Sequence, residues 1–143
     1  MASKLLIGSL AGLAMAGLAT IANAGSDLEK ALAAGAERLT SNEIAERLTG
    51  KTGLFLVGGG DKRIMIYYGE NNELVAKPVG GDSVLTGFYA VTDRDTICIG
   101  WDKKDLPRLR CLDALLLDGV VYKYNTDGSF SGSYEKFEDG KIL

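Results

Sequence analysis

Cys98 and Cys111 are the two residues of this 143-residue sequence with the most definite chemistry. They stand thirteen positions apart, which is not the C-x-x-C spacing of a redox-active pair. No histidine occurs to activate a thiol, act as a general base or hold a metal. A structural disulfide is the expected role, formed in an oxidising compartment. Asp93 with Asp95, and Asp102 with Asp105, offer carboxylates for a histidine-independent hydrolase or for calcium. Neither set has EF-hand spacing, and acids in turns commonly cap their own backbone. Gly58-Gly59-Gly60-Asp61-Lys62-Arg63 resembles a phosphate loop but lacks the G-x-x-x-x-G-K-[ST] spacing. It also leads into a strand pattern, so its amides would not converge on an anion as a helix N-terminus does. A hairpin tip is expected there. Asp113, inside an apolar strand pattern, reads as an outward charge or a partner for Arg110 or Lys123. No catalytic residue, metal-ligand set or cofactor motif is assigned.

The aromatic residues carry the functional expectation. Tyr67, Tyr68, Tyr89, Trp101, Tyr122, Tyr124 and Tyr134 are rings with one apolar body and one polar tip. Such side chains serve a β-core, or a cleft or contact surface where one edge is wet. Trp101, Tyr122 and Tyr124 are the candidate ligand-binding residues, expected on one face near the cysteine pair.

The elements that must position these groups follow in chain order. Residues 1–24 open with Lys4, continue in an apolar run and end in Ala22-Asn23-Ala24. That is the form of a signal peptide cleaved after Ala24, and it places the mature chain in the periplasm or outside the cell. An uncleaved membrane anchor is the alternative reading of the same run. Cleavage removes Lys4 alone among the charged residues, so the formal charge deepens from −3 to −4. A mildly acidic surface argues against nucleic acid or anionic lipid as partners, and no stable membrane insertion is expected after cleavage.

Residues 25–39 read as a helical or flexible leader, and residues 40–143 as a single β-rich domain. Ser26 with Glu29, and Thr40 with Glu43, match the capping box at a helix start. The first helix, over 26–39, is interrupted by Gly35; the second, over 41–49, puts Ile44 and Leu48 on one stripe and closes at Gly50. From Thr52 the period becomes two. Strands are expected at 52–57, 63–68, 73–79, 83–91, 96–101, 109–117 and 120–124, with a weaker one at 130–134. Clusters of Gly, Asn and Asp separate them and supply the positive-φ positions of hairpin turns. The short connections leave no room for crossover helices, so neighbours should pair antiparallel. The fold class is thus mainly β: a meander of about seven or eight strands forming a small barrel or strongly curled sheet, with a short N-terminal helix.

Alternation assigns faces within it. Ile97, Ile99 and Trp101 share a side opposite Cys98; Leu112, Ala114 and Leu116 share one opposite Cys111 and Asp113. Val120, Tyr122 and Tyr124 share one opposite Lys123. Both cysteines then lie on the more polar face. Pairing Cys98 with Cys111 puts Trp101 across from Arg108, and the bond requires a non-hydrogen-bonded site in the ladder.

A helix with Leu39-Thr40 and Glu43 closed by Gly50-Lys51-Thr52 precedes a strand with Tyr67. Gly87-Phe88-Tyr89, Cys98, Trp101, Cys111 and Asp118-Gly119 follow in order. Over residues 39–128 this arrangement resembles a family of small exported proteobacterial domains of unknown function. Members usually carry Gly-x-Trp where this chain has Gly87, Phe88 and Tyr89. The resemblance implies export, a disulfide and a compact β-fold, and brings no catalytic residues. The expected function is that of an exported, non-catalytic binding module for a small apolar ligand or an envelope protein. A structural or assembly accessory of the cell envelope is the alternative.

Overall fold

A computed structural model describes residues 25–106 and 109–143. The signal-peptide expectation for 1–24, and Arg108 opposite Trp101, lie outside the described residues.

The two capping boxes start the two helices. In α1 (Asp27–Ala33) the Ser26 hydroxyl accepts from the Glu29 amide at 3.2 Å, and the Glu29 carboxylate accepts from the Ser26 amide at 2.7 Å. The helix is shorter than expected because Gly35 takes φ +98°, a left-handed turn that helical backbone does not admit. The chain then forms β1 (Glu37–Arg38), an element for which no alternation was visible in the sequence. Residues 25–39 are thus an ordered part of the domain, with Ala36 and Leu39 buried. In α2 (Ser41–Leu48) Thr40 and Glu43 repeat the box, and Ile44 and Leu48 are fully buried.

Eight strands follow: β2 (Lys51–Val57), β3 (Arg63–Tyr68), β4 (Glu73–Pro78), β5 (Leu85–Val91), β6 (Thr96–Trp101), β7 (Arg110–Leu117), β8 (Val120–Asn125) and β9 (Phe130–Asp139). Each pairs antiparallel with the next, and β9 pairs back onto β2. The sheet is therefore a closed eight-stranded barrel, with β1 as a ninth strand. β1 bonds to β7 at Leu115 and Leu116, along the edge that β6 leaves free beyond Asp113. β9 runs to Asp139, well past the expected 130–134, because its second half is what β2 needs to close the barrel.

The turns use the residue types that positive φ demands. Asn72, Asp95 and Asp118 take φ of 66°, 58° and 49°. Asp118 and Gly119, both at positive φ, form the two-residue hairpin between β7 and β8. The inward faces of the strands build the main core, which includes Phe55, Ile66, Tyr68, Leu74, Tyr89, Ile97, Leu112 and Tyr134. α2 contacts β2, β5 and β6 and adds Ile44 and Leu48 to this core, so it plugs one end of the barrel. Asp95 ties that plug down: its carboxylate accepts from the Ser41 amide at 2.6 Å and the Ser41 hydroxyl at 2.8 Å. These bonds hold its pKa below the ordinary carboxylate value. Among the described residues no helix is long and apolar enough to cross a membrane.

The ladder sets Cys98 directly opposite Cys111 on the outer face, and the two are disulfide-bonded. Their Cα atoms are 3.9 Å apart, a close approach of the two strands at the crosslink. The bond spans a separation of 13 residues. In the chain-entropy model a loop of this size adds about 3 kcal/mol. Reduction, or the double change C98A/C111A, is therefore expected to lower unfolding free energy by roughly that amount. Denaturant melts with and without reductant measure it, and unchanged midpoints would show that the crosslink adds nothing.

Candidate functional site

The most unusual chemistry lies inside the barrel. Lys123 is 3 % exposed, and its side chain enters the aromatic part of the core. Its Nζ donates to the Tyr68 hydroxyl at 3.2 Å and to the Tyr134 hydroxyl at 3.4 Å. Those two hydroxyls also hydrogen-bond to each other. The amine lies 5.3 Å from the Phe55 ring centre, 5.7 Å from that of Tyr68 and 5.6 Å from that of Tyr134. Around them Tyr89 meets Tyr68 edge-on, its hydroxyl donating to the Gly69 carbonyl at 2.8 Å.

Local irregularities of the sheet aim these groups. Register shifts occur between Lys123 and Tyr124 in the β8–β9 ladder, and between Leu54 and Phe55 in the β2–β9 ladder. Such bulges turn a strand and redirect its side chains. Two glycines make the space. A β-carbon on Gly53 would fall 2.6 Å from the Tyr134 ring, and one on Gly132 would fall 2.3 Å from both the Phe55 ring and the Leu56 carbonyl oxygen. Gly132, opposite Lys123, also takes φ +156°.

Burial dominates the electrostatics. It pushes the Lys123 ammonium down to about 7, with the Arg110 charge acting in the same direction. It raises the Tyr68 phenol despite the bond from Tyr134, and it raises Tyr134 well above the ordinary phenol value. Both phenols stay neutral, and the lysine gives up its proton far more readily than an exposed one, so the neutral amine is accessible near pH 7. Such an amine is a nucleophile and hydrogen-bond acceptor, but here it is packed among side chains.

The expected face of Trp101, Tyr122 and Tyr124 is not formed. Trp101 packs against the main core, whereas Tyr122 and Tyr124 lie outside the barrel with Phe130, at ring separations of 6.2 and 5.5 Å. There they join Leu115, Ala36 and the α1 residues Leu28 and Ala31 in a second apolar cluster. The alternation within β8 holds, with Tyr122 and Tyr124 on one side and Val121 and Lys123 on the other, but the tyrosine side is the outer one and is not shared with Trp101. The reason is tertiary. α1 and β1 cover this outer patch, so Tyr124 is buried and Tyr122 half-buried there, while the interior supplies rings and hydroxyls for the lysine. Two adjacent valines, Val120 and Val121, were the available signal that either face of β8 could be the buried one.

The other candidates take structural places. Asp113 pairs with Arg38 of β1 at 2.5 Å, a partner that the sequence reading did not consider. The Asp102 carboxylate accepts from the Thr86 hydroxyl at 3.2 Å. Gly58 to Gly60 form the β2–β3 turn. An outer groove of about 230 Å³ runs between Leu54, Met65, Val79 and Lys136. Among the described residues no three acidic or cysteine side chains gather as metal ligands. No protein-family model, curated protein or solved structure matches the chain.

In an alkaline titration, Tyr68 and Tyr134 are expected to ionise only as the barrel unfolds. Phenolate absorbance followed beside circular dichroism should show this late step, and Tyr68→Phe and Tyr134→Phe should each remove part of it. Each change also strands a buried polar partner and should cost about 1–3 kcal/mol of stability. Complete ionisation of all six tyrosines before unfolding would contradict the buried ring.

Proposed function

We propose that the mature chain is an exported, non-catalytic binding module that engages a protein of the cell envelope through one end of its barrel. The observation that carries this reading is the contrast between the two ends. One end is plugged by α2, and the interior is occupied by the side chains of the main core. The opposite end exposes Val79 and Val84 on the β4–β5 loop and Leu109 just before β7, at 54, 56 and 56 % of their surface. Lys62, Lys103, Asp82 and Asp105, all exposed, stand on the loops of the same end. Exposed apolar side chains interspersed with charges of both signs suit a protein surface. A side-chain-filled interior favours this over a small ligand held inside the barrel.

Export is supported by the residue pattern of 1–24, by the family resemblance and by the disulfide, which is characteristic of oxidising compartments. Protein recovered from the envelope fraction is expected to begin at Gly25, as mass spectrometry of the intact chain would read. Photo-crosslinking groups placed in cells at Val84 and Leu109 should give one discrete envelope-protein adduct, absent from Asn42 on α2. Val79→Ser should weaken that adduct and leave the melting temperature unchanged. Equal adducts from Asn42, or a cytoplasmic chain that retains residues 1–24, would overturn the proposal.

A further inference from the structure

Lys123, Tyr68 and Tyr134 form a closed triangle of polar atoms in an otherwise apolar interior, and the hydrogens can be counted. Each phenol has one hydrogen to donate and lone pairs to accept with; a neutral amine has two hydrogens and one lone pair. A neutral amine that donates to one phenol and accepts from the other closes the triangle as a circuit in which every group both donates and accepts, with one amine hydrogen left over. An ammonium cannot accept. It donates to both phenols and one phenol donates to the other, so the remaining phenol hydrogen and the third ammonium hydrogen have no acceptor among the described residues. Every buried side-chain polar atom among those residues has a partner in either protonation state, but the neutral circuit leaves one hydrogen without an acceptor and the ammonium leaves two.

The groups facing the amine give no compensation for a charge. β3 contributes Tyr68, β9 contributes Tyr134, and β5 contributes Tyr89 behind Tyr68. β7 contributes Arg110, a like charge. The β2 neighbour is the Phe55 ring, while β4, β6 and α2 supply apolar side chains to this core. Among the described residues no carboxylate pairs with Lys123. The ring faces of Phe55, Tyr68 and Tyr134 attract a cation, but weakly beside the loss of a full hydration shell.

The barrel ladder with the fewest paired positions lies beside this triangle. The β8–β9 ladder has three paired positions, Tyr122 with Ser133, Lys123 with Gly132 and Tyr124 with Phe130, and its register shifts next to Lys123. We infer that Lys123 is a proton-operated latch on the β8–β9 seam: the closed seam holds the neutral amine, and opening the seam takes up one proton. The depressed ammonium pKa of about 7 agrees with that count.

The sign follows from linkage. A base with a folded pKa near 7 and an ordinary open-state value near 10.5 binds more protons when open between those two limits. The closed seam is therefore favoured as pH rises through this window, and below it this group adds no further pH dependence. The test is hydrogen exchange of wild type and Lys123→Met between pH 6 and 9, corrected for intrinsic exchange. Protection of β8–β9 amides should rise about tenfold per pH unit from pH 7 to 9 in wild type. It should be flat in Lys123→Met. An equal slope in both proteins, or the same slope in every strand, would overturn the latch. If Lys123→Met does not fold, the Lys123 ε-carbon shift in the wild-type protein decides. Titration near neutrality supports the neutral closed state, and an ammonium persisting above pH 9.5 refutes it.

Discussion

Closure of the sheet between β2 and β9 is the constraint on which the rest of this structure depends. Lys51 through Val57 pair with β3 on one side and with β9 on the other, so no long strand of the barrel has a free edge. A curled sheet left open here would expose two rows of unpaired amides and carbonyls, a template for aggregation. Closure also creates an inside. Eight strands give an interior that side chains just fill, and the rings of Phe55, Tyr68, Tyr89 and Tyr134 occupy much of it. The bulge at Leu54 and Phe55, together with Gly53 and Gly132, lets those rings fit beneath a continuous wall.

The same interior admits one amine, and its position explains several features at once. Lys123 needs hydroxyls within reach, which Tyr68 and Tyr134 provide from strands that are distant in sequence. It needs space across the ladder, which a residue without a side chain provides at Gly132. Desolvation lowers its hold on the proton, so the neutral amine is within reach near pH 7. A buried lysine is a cost to stability, yet this one is supported from β3, β8 and β9 together. The arrangement thus couples the protonation of one group to the integrity of the wall it stands in.

Outside the barrel, the segment before α2 changes what counts as surface. α1 lies over Tyr122, Tyr124 and Phe130, with the Leu28 amide donating to the Gly128 carbonyl at 3.0 Å. β1 extends the edge of β7, and Arg38 meets Asp113 there. Leu115 points outward from the barrel yet is fully buried under these elements. The residues of α1 and β1 are therefore a second layer over the β7–β8 part of the wall, separate in composition from the main core.

Local chemistry was legible because it is local. The hydroxyl and carboxylate of each capping box lie three residues apart, so α1 and α2 declared their starts at Ser26 and Thr40. Period-two alternation and positive-φ turn residues marked eight strands, and adjacent antiparallel strands fixed the Cys98–Cys111 register and hence the disulfide. What only the tertiary structure decided were questions about which side of a strand is covered. Whether the meander closes depends on β9 meeting β2 across the whole domain. Whether Tyr122 or Lys123 faces inward depends on α1 lying outside and on two tyrosines waiting inside. Alternation reports that two faces differ; it cannot report what will be packed against each, because those partners come from elsewhere in the chain.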